Sequence, residues 1–346
     1  MDIPVDTKRN RDEFSNVATA LSWQARRQPN VTAIHYPQSA VFRKPVYKSC
    51  TYQELDELSD CYARGLTAYG IDAGTRTALM LTPGLDFFAM FFALFKAGAI
   101  PVLIDPGIGM KPLKQCLSEA APKAFIGVTK AHFARKVMGW AKESCELLVT
   151  AGPKLGLGGI NLKKLKEMGD LSHGEVMHAA KPDDIAAILF TSGSTGIPKG
   201  VVYRHRHFNA QVDMLRTAFG IEPGEVSLPT FPPFALFDPA LGMTTVVPDM
   251  DPTRPAEADP EKLIKAIDRF GVTNIFGSPA LLDTLSRYCV EHGVRLESVT
   301  RVISAGAAVP VGTIRRMQKS VYRDAEIHTP YGATECLPVS LSLIHI

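Results

Sequence analysis

The sequence lacks a charge imbalance. Lysine and arginine total 38 against 35 aspartate and glutamate, a formal net charge of +3 over 346 residues. That balance argues against a nucleic-acid or anionic-membrane binder. Cysteine is sparse and scattered, at positions 50, 61, 116, 145, 289 and 336, with no CxxC pair and no Cys/His cluster. This argues against a disulfide framework and a structural zinc site, and for a reducing compartment. No apolar signal core follows the charged start MDIPVDTKRNRDEF, so a cytoplasmic protein is expected. Nor is there an unbroken apolar run of membrane-spanning length. In the most apolar stretch, Phe87 to Ile104, Lys96, Gly98 and Pro101 interrupt the run, which reads as a buried helix turning into a buried strand. Internal repeats and low-complexity tails are also missing.

What is present is a chain 46% hydrophobic and 21% charged, ordinary globular usage at a length that buries a core unaided. Helical spacing runs from Tyr52 to Gly70, then strand Thr77–Leu81, helix Leu85–Lys96, strand Ile100–Ile104, helix Pro112–Ala121 and strand Ala124–Val128. After a Gly/Lys-rich surface excursion at Lys154–Lys166 come strands at Ala186–Phe190 and Val201–Tyr203 and a helix at Asn209–Phe219. Further on lie a strand at Thr273–Phe276, a helix at Pro279–His292 and a strand at Arg301–Ser304, while Pro248–Pro260 reads as a loop. This alternation predicts an α/β body with parallel sheet covered by helices, with room for two packed sub-sheets. The basic run Arg204–His207 reads either as a solvated turn or as a phosphate contact.

The sharpest feature is Thr191-Ser192-Gly193-Ser194-Thr195-Gly196-Ile197-Pro198-Lys199-Gly200, directly after the apolar run AAILF. Glycines let backbone approach an anion, hydroxyls and backbone N–H groups donate to phosphate oxygens, and Lys199 adds a positive charge. A P-loop shares this logic, yet its GxxxxGK[ST] pattern fails here, since Pro198 precedes the lysine and Gly200 follows it. The plain alternative, a flexible Ser/Gly linker, does not explain Pro-Lys-Gly between two apolar strands.

The decapeptide resembles the phosphate-binding signature of the acyl-adenylate-forming (AMP-binding) superfamily, which includes acyl-CoA synthetases, nonribosomal-peptide adenylation domains and luciferases. Thr51-Tyr52-Gln53-Glu54-Leu55 and Lys96-Ala97-Gly98-Ala99-Ile100-Pro101 resemble two earlier motifs of that superfamily, and Tyr331-Gly332-Ala333-Thr334-Glu335 matches its YGxTE motif. The resemblance implies the large N-terminal domain of the superfamily, layered sheets with flanking helices, over residues 1–340, with the small C-terminal lid absent. Residues 341–346, LSLIHI, are read as a non-native tail on a truncated chain; the other reading is a natural strand.

It also implies roles. Thr191, Ser192, Gly193, Ser194, Thr195, Gly196 and Lys199 hold the phosphates of ATP, and Gly306, Ala307 and Ala308 lie beside adenine. Tyr331 offers an aromatic face, Gly332 and Ala333 permit close approach, Thr334 bonds the α-phosphate and Glu335 binds Mg²⁺. Lys199, Thr334 and Glu335 are the catalytic set. Read alone, YGATE is also compatible with a turn capping a helix. No side-chain base is needed, so His205, His207 and His328 are read as structural. The acid side falls to Phe234, Ala235, Gly277 and Ala305, where small residues leave room for an aliphatic chain.

The segments Phe231–Pro260 and Thr329–Ser340 are most similar to the β-lactone synthetases of bacterial long-chain olefin biosynthesis. That implies adenylation of a long-chain β-hydroxy acid, whose own hydroxyl then displaces AMP. A fatty acyl-CoA or acyl-AMP ligase is the alternative enzyme, and a nucleotide-binding fragment without turnover the alternative outside catalysis. A small carboxylic acid is the expected partner, with no nucleic acid and no transmembrane segment.

Overall fold

The computed structural model describes residues 15–40, 43–174, 176–191 and 198–340. Two seven-stranded sheets dominate it. Across the first the strands run Ile160–Asn161, Leu147–Ala151, Ala124–Val128, Arg76–Met80, Ile100–Ile104, Ile185–Thr191 and Lys199–Arg204. All its neighbours are parallel except the last pair. The second runs Glu326–His328, Arg301–Ile303, Asn274–Phe276, Val226–Pro229, Thr244–Val246, Thr32–Ala40 and Arg43–Thr51. Again only the last pair is antiparallel. A hairpin, Tyr331–Ala333 with Cys336–Ser340, completes the strands.

Helices Tyr52–Tyr69 and Leu85–Lys96 join a buried cluster that also holds Leu79 and Ile126 of the first sheet and Ile34 and Cys50 of the second. A helix apolar all round must be buried all round. Residues 87–96 are indeed all buried, including Lys96. Its ammonium is paired there with Asp56 at 2.6 Å and with Asp60, because a buried charge persists only when compensated. Thr51 and Glu54 form a reciprocal capping box at the start of helix Tyr52–Tyr69, satisfying two backbone donors that the first turn leaves open.

Three expectations change. Lys154–Lys166 is not wholly a surface excursion: strand Ile160–Asn161 and helix Leu162–Leu171 begin inside it. Leu165 there is fully buried, and Asn161 caps the helix by accepting from the Lys164 N–H. Its lysine-rich outer face hides this short amphipathic pattern. The helix expected from Asn209 starts at His205, so Arg204–His207 is neither a solvated turn nor a free cationic patch. His205 is buried and accepts from the Val17 N–H at 3.2 Å, while Arg206 pairs with Asp183 at 2.9 Å. YGATE precedes no helix; it forms one arm and the tip of the hairpin.

Candidate active site

A cavity of about 1,340 Å³ opens where strands of both sheets end, and Lys199, Tyr203, Gly306, Gly332, Thr334 and Glu335 all lie on its wall. Sheet pairing explains how the first of these arrive there. Thr191 and Lys199 are register partners at the end of an antiparallel pair. They clamp the base of the signature loop, whose residues Ser192, Gly193, Ser194, Thr195 and Gly196 lie outside the described residues. Lys199 is exposed toward the cavity. Tyr203, four residues on and therefore on the same face of its strand, is buried.

The Tyr203 hydroxyl donates to the Thr334 carbonyl and accepts from the Gln211 amide at 3.4 Å. Burial pushes its pKa up, which keeps it a donor. This bond joins strand Lys199–Arg204 to the second motif. Ala333 pairs with Cys336 across the hairpin, leaving Thr334 and Glu335 as a two-residue tip. Glu335 is exposed and Thr334 half-buried, both on the cavity wall. Among the described residues no group of three or more His, Cys, Asp or Glu side chains could enclose a metal. A single carboxylate does fit Mg²⁺, which takes one or two carboxylates and completes its shell with water and phosphate oxygens.

Gly306 follows strand Arg301–Ile303 with φ +93° and open space around it. A side chain is strained in that left-handed region, so glycine keeps this wall low. Ala305 and Ala307 line the cavity beside it. Other expected residues sit elsewhere. Ala308 is exposed off the cavity wall, and Tyr331, 72% exposed, also falls outside it. Ala235 packs into the central core, because the one-turn helix Pro232–Ala235 directs it inward and leaves Phe234 and Leu236 to the wall. Gly277 faces helix Pro279–His292, where a Cβ would lie 3.2 Å from Leu281 and Leu282, so its small size serves packing.

The apolar part of the chamber is largely aromatic. Phe234 stacks on Phe276 with centroids 3.9 Å apart, and Phe237 lies at 6.3 Å. Phe91, Phe92 and Phe95 of helix Leu85–Lys96 and Phe208, Val212 and Leu215 of helix His205–Phe219 also line it. The sequence reading missed these. An apolar side chain beside a cavity carries the same signature as one in solid core. His328 is buried against Phe219 at 5.0 Å and bonds Glu326 at 3.0 Å, a packing role.

Two α/β sheets, with Lys199 and the Thr334–Glu335 hairpin tip at one cavity, define the chain's class of fold and site. The chain belongs to the AMP-binding enzyme family, whose model matches residues 21–345. It is 54% identical over 329 residues to an olefin beta-lactone synthetase of Stenotrophomonas maltophilia (strain K279a), covering 94% of this chain and 58% of that one. A second olefin beta-lactone synthetase, from Xanthomonas campestris pv. campestris, is 51% identical over 327 residues with the same coverage. The chain thus spans 58% of the length of these relatives. In fold it is similar to a long-chain-fatty-acid-CoA ligase from Archaeoglobus fulgidus, with TM-score 0.81 and 20% identity over 95% of this chain and 66% of that one. Among the described residues no helix is long and apolar enough to cross a membrane.

Proposed function

We propose that this chain is the main body of an enzyme that uses ATP and Mg²⁺ to activate a carboxylic acid as its acyl-adenylate, and that the acid is a long-chain β-hydroxy acid closed to a β-lactone. The observation that carries this reading is the single chamber in which Lys199 and the Thr334–Glu335 tip meet an aromatic-walled apolar space. A charged triphosphate end and an aliphatic acid find matching surfaces there, with their reacting ends together. Similarity to the two synthetases supports the lactone outcome.

In the first step a carboxylate oxygen bonds to the α-phosphorus of ATP and pyrophosphate leaves. Lys199 and the Thr334 hydroxyl hold phosphate oxygens in line, and such positioning carries most of the rate in phosphoryl chemistry. Glu335 would hold Mg²⁺, and the ion when bound would neutralise phosphate charge. In the second step the β-hydroxyl oxygen bonds to the acyl carbon, the acyl–phosphate C–O bond breaks, AMP leaves and the proton passes to solvent. An intramolecular nucleophile has a high effective concentration, so no coenzyme A is required.

Mass spectrometry tests this in the complete gene product supplied with ATP, Mg²⁺ and 3-hydroxydodecanoic acid. The expected product is the acid less one water, formed equally with and without coenzyme A, together with AMP and pyrophosphate. A thioester formed only with coenzyme A, and no dehydrated product, returns the protein to the ordinary ligases. Absence of pyrophosphate in every case leaves a nucleotide-binding fragment.

A further inference from the structure

Beside the large chamber lies a second cavity of about 50 Å³ with a polar floor in an otherwise apolar setting. Its floor follows from strand register. Ser227 pairs with Thr245 on one side and with Asn274 on the other, so three polar side chains form a row across adjacent strands on one sheet face. Their chain neighbours Leu228 and Ile275 point to the opposite face and join the core beneath helices Pro260–Phe270 and Pro279–His292. Asp238, from the short helix Asp238–Leu241, comes down on the polar row.

Ser227, Asn274 and Asp238 are only 1%, 3% and 6% exposed. Thr245 donates to Asp238 at 3.2 Å, and the Asn274 amide N–H donates to Ser227 at 3.4 Å. The Asn274 carbonyl oxygen, Oδ1, has no partner among the described residues. A buried bare acceptor is costly, and Asn274 is one of the residues that line the small cavity. Leu215, Phe234, Phe237, Phe276 and Ala305 line the small cavity and the large one alike, so the two are neighbours across these side chains.

We infer that this cavity is a specificity subsite that reads a hydroxyl group on the acid substrate, with Asn274, Ser227 and Asp238 as its polar contacts. The inference rests on the activity proposed above. A hydroxyl can donate to the Asn274 carbonyl oxygen while its carbon neighbours lie against Phe234 and Phe276. A methylene offers no donor, and a ketone could only accept. An anionic group finds no counter-charge on the lining, which carries no lysine or arginine. Burial pushes the Asp238 carboxyl up to about 7, so below that pH it also presents an O–H to the lone pairs of the incoming oxygen. Sites built to bond a hydroxyl discriminate strongly against analogues that lack one. The competing occupant is an ordered water, which a polar space of this size can hold.

The test compares dissociation constants of 3-hydroxydodecanoic and dodecanoic acids on the purified 346-residue chain by calorimetry. The hydroxy acid is expected to bind at least about tenfold more tightly, the equivalent of one good hydrogen bond. Asn274→Leu should reduce that preference below about twofold through weaker binding of the hydroxy acid alone. Should the variant fail to fold, infrared difference spectra of the unmodified chain decide. The hydroxy acid should shift the Asp238 carboxyl C=O band, assigned through Asp238→Asn, and dodecanoic acid should not. Equal affinities together with an unshifted band mean a structural water only, and overturn the inference. Lactone formation without hydroxyl preference in binding likewise removes this subsite and leaves the proposed activity standing. Hydroxyl preference without lactone formation supports the subsite and removes the activity.

Discussion

Lys199 is exposed and does not contribute to the core, so its removal separates chemistry from folding. Lys199→Ala should lower kcat/KM for ATP at least about tenfold, some 1.4 kcal/mol of transition-state stabilisation. Surface changes of this kind cost within about 0.5 kcal/mol of stability, and the melting temperature should barely move. ATP kinetics equal to the parent's would remove Lys199 from the site. Glu335 makes a different prediction, because its carboxylate is exposed at a two-residue tip. Glu335→Gln keeps the shape and loses the charge, and a neutral amide is a poor partner for a hard dication. A Mg²⁺ titration of pyrophosphate release should show half-saturation at least about tenfold higher, with activity partly recovered at high Mg²⁺. An unchanged titration curve rules out metal ligation by this residue.

Between elements, contact distance decides what is tolerated. Helix Leu162–Leu171 meets helix Tyr52–Tyr69 through glycines: a Cβ on Gly169 would lie 1.9 Å from the Cys61 carbonyl oxygen, and one on Gly65 2.2 Å from that of Leu165. Backbone cannot step aside as a flexible side chain can. Gly169→Ala should therefore cost about 1–3 kcal/mol as overpacking, read as a lower denaturation midpoint at unchanged slope. This contact also marks the limit of what the sequence disclosed. Segments such as Leu85–Lys96, an unbroken apolar run of helical length, and Pro279–His292, whose apolar spacing agrees with its Ser278 cap, are legible. Helix Leu162–Leu171 and the strands of the second sheet before Asn274 are not, since short elements owe their state to partners distant in the chain. The site divides the same way. Lys199 and the Thr334–Glu335 tip announce themselves by motif. The wall residues Phe91, Phe208 and Val212, and the floor residues Ser227, Asn274 and Asp238, emerge only once two sheets are brought together.

At the scale of the whole molecule, two buried groups give stability an opposed dependence on pH. Burial holds the His205 imidazole down at about 4, from an ordinary 6.5. As pH falls through that window the unfolded chain takes up a proton the native state refuses, and stability is lost. Asp238 acts in the other direction. With its carboxyl raised from 3.8 to about 7, the native state keeps a proton that the unfolded chain has released. Its contribution is complete below the unfolded value and is lost as pH rises toward 7. Asp238→Asn abolishes that titration, so the variant's melting temperature minus the parent's should climb between pH 4 and pH 7 and then level off. A difference constant across this range would show that Asp238 is ionised throughout.

The clamped pair at the mouth of the signature loop has a consequence for how such a chain can change over generations. Lys199 and Tyr203 reach the cavity from one strand, on positions separated by an even count. Side chains alternate along a strand, and a shift by one residue exchanges its two faces. Inheritance here is therefore governed by parity. The loop beyond the clamp can lengthen or shorten without disturbing either residue, but one residue inserted between 199 and 203 would turn lysine and tyrosine to opposite sides of the sheet. Two inserted residues would restore the facing and lose only reach. A library of insertions at 200–202, scored for pyrophosphate release, should show activity absent for odd lengths and returning in part for even ones.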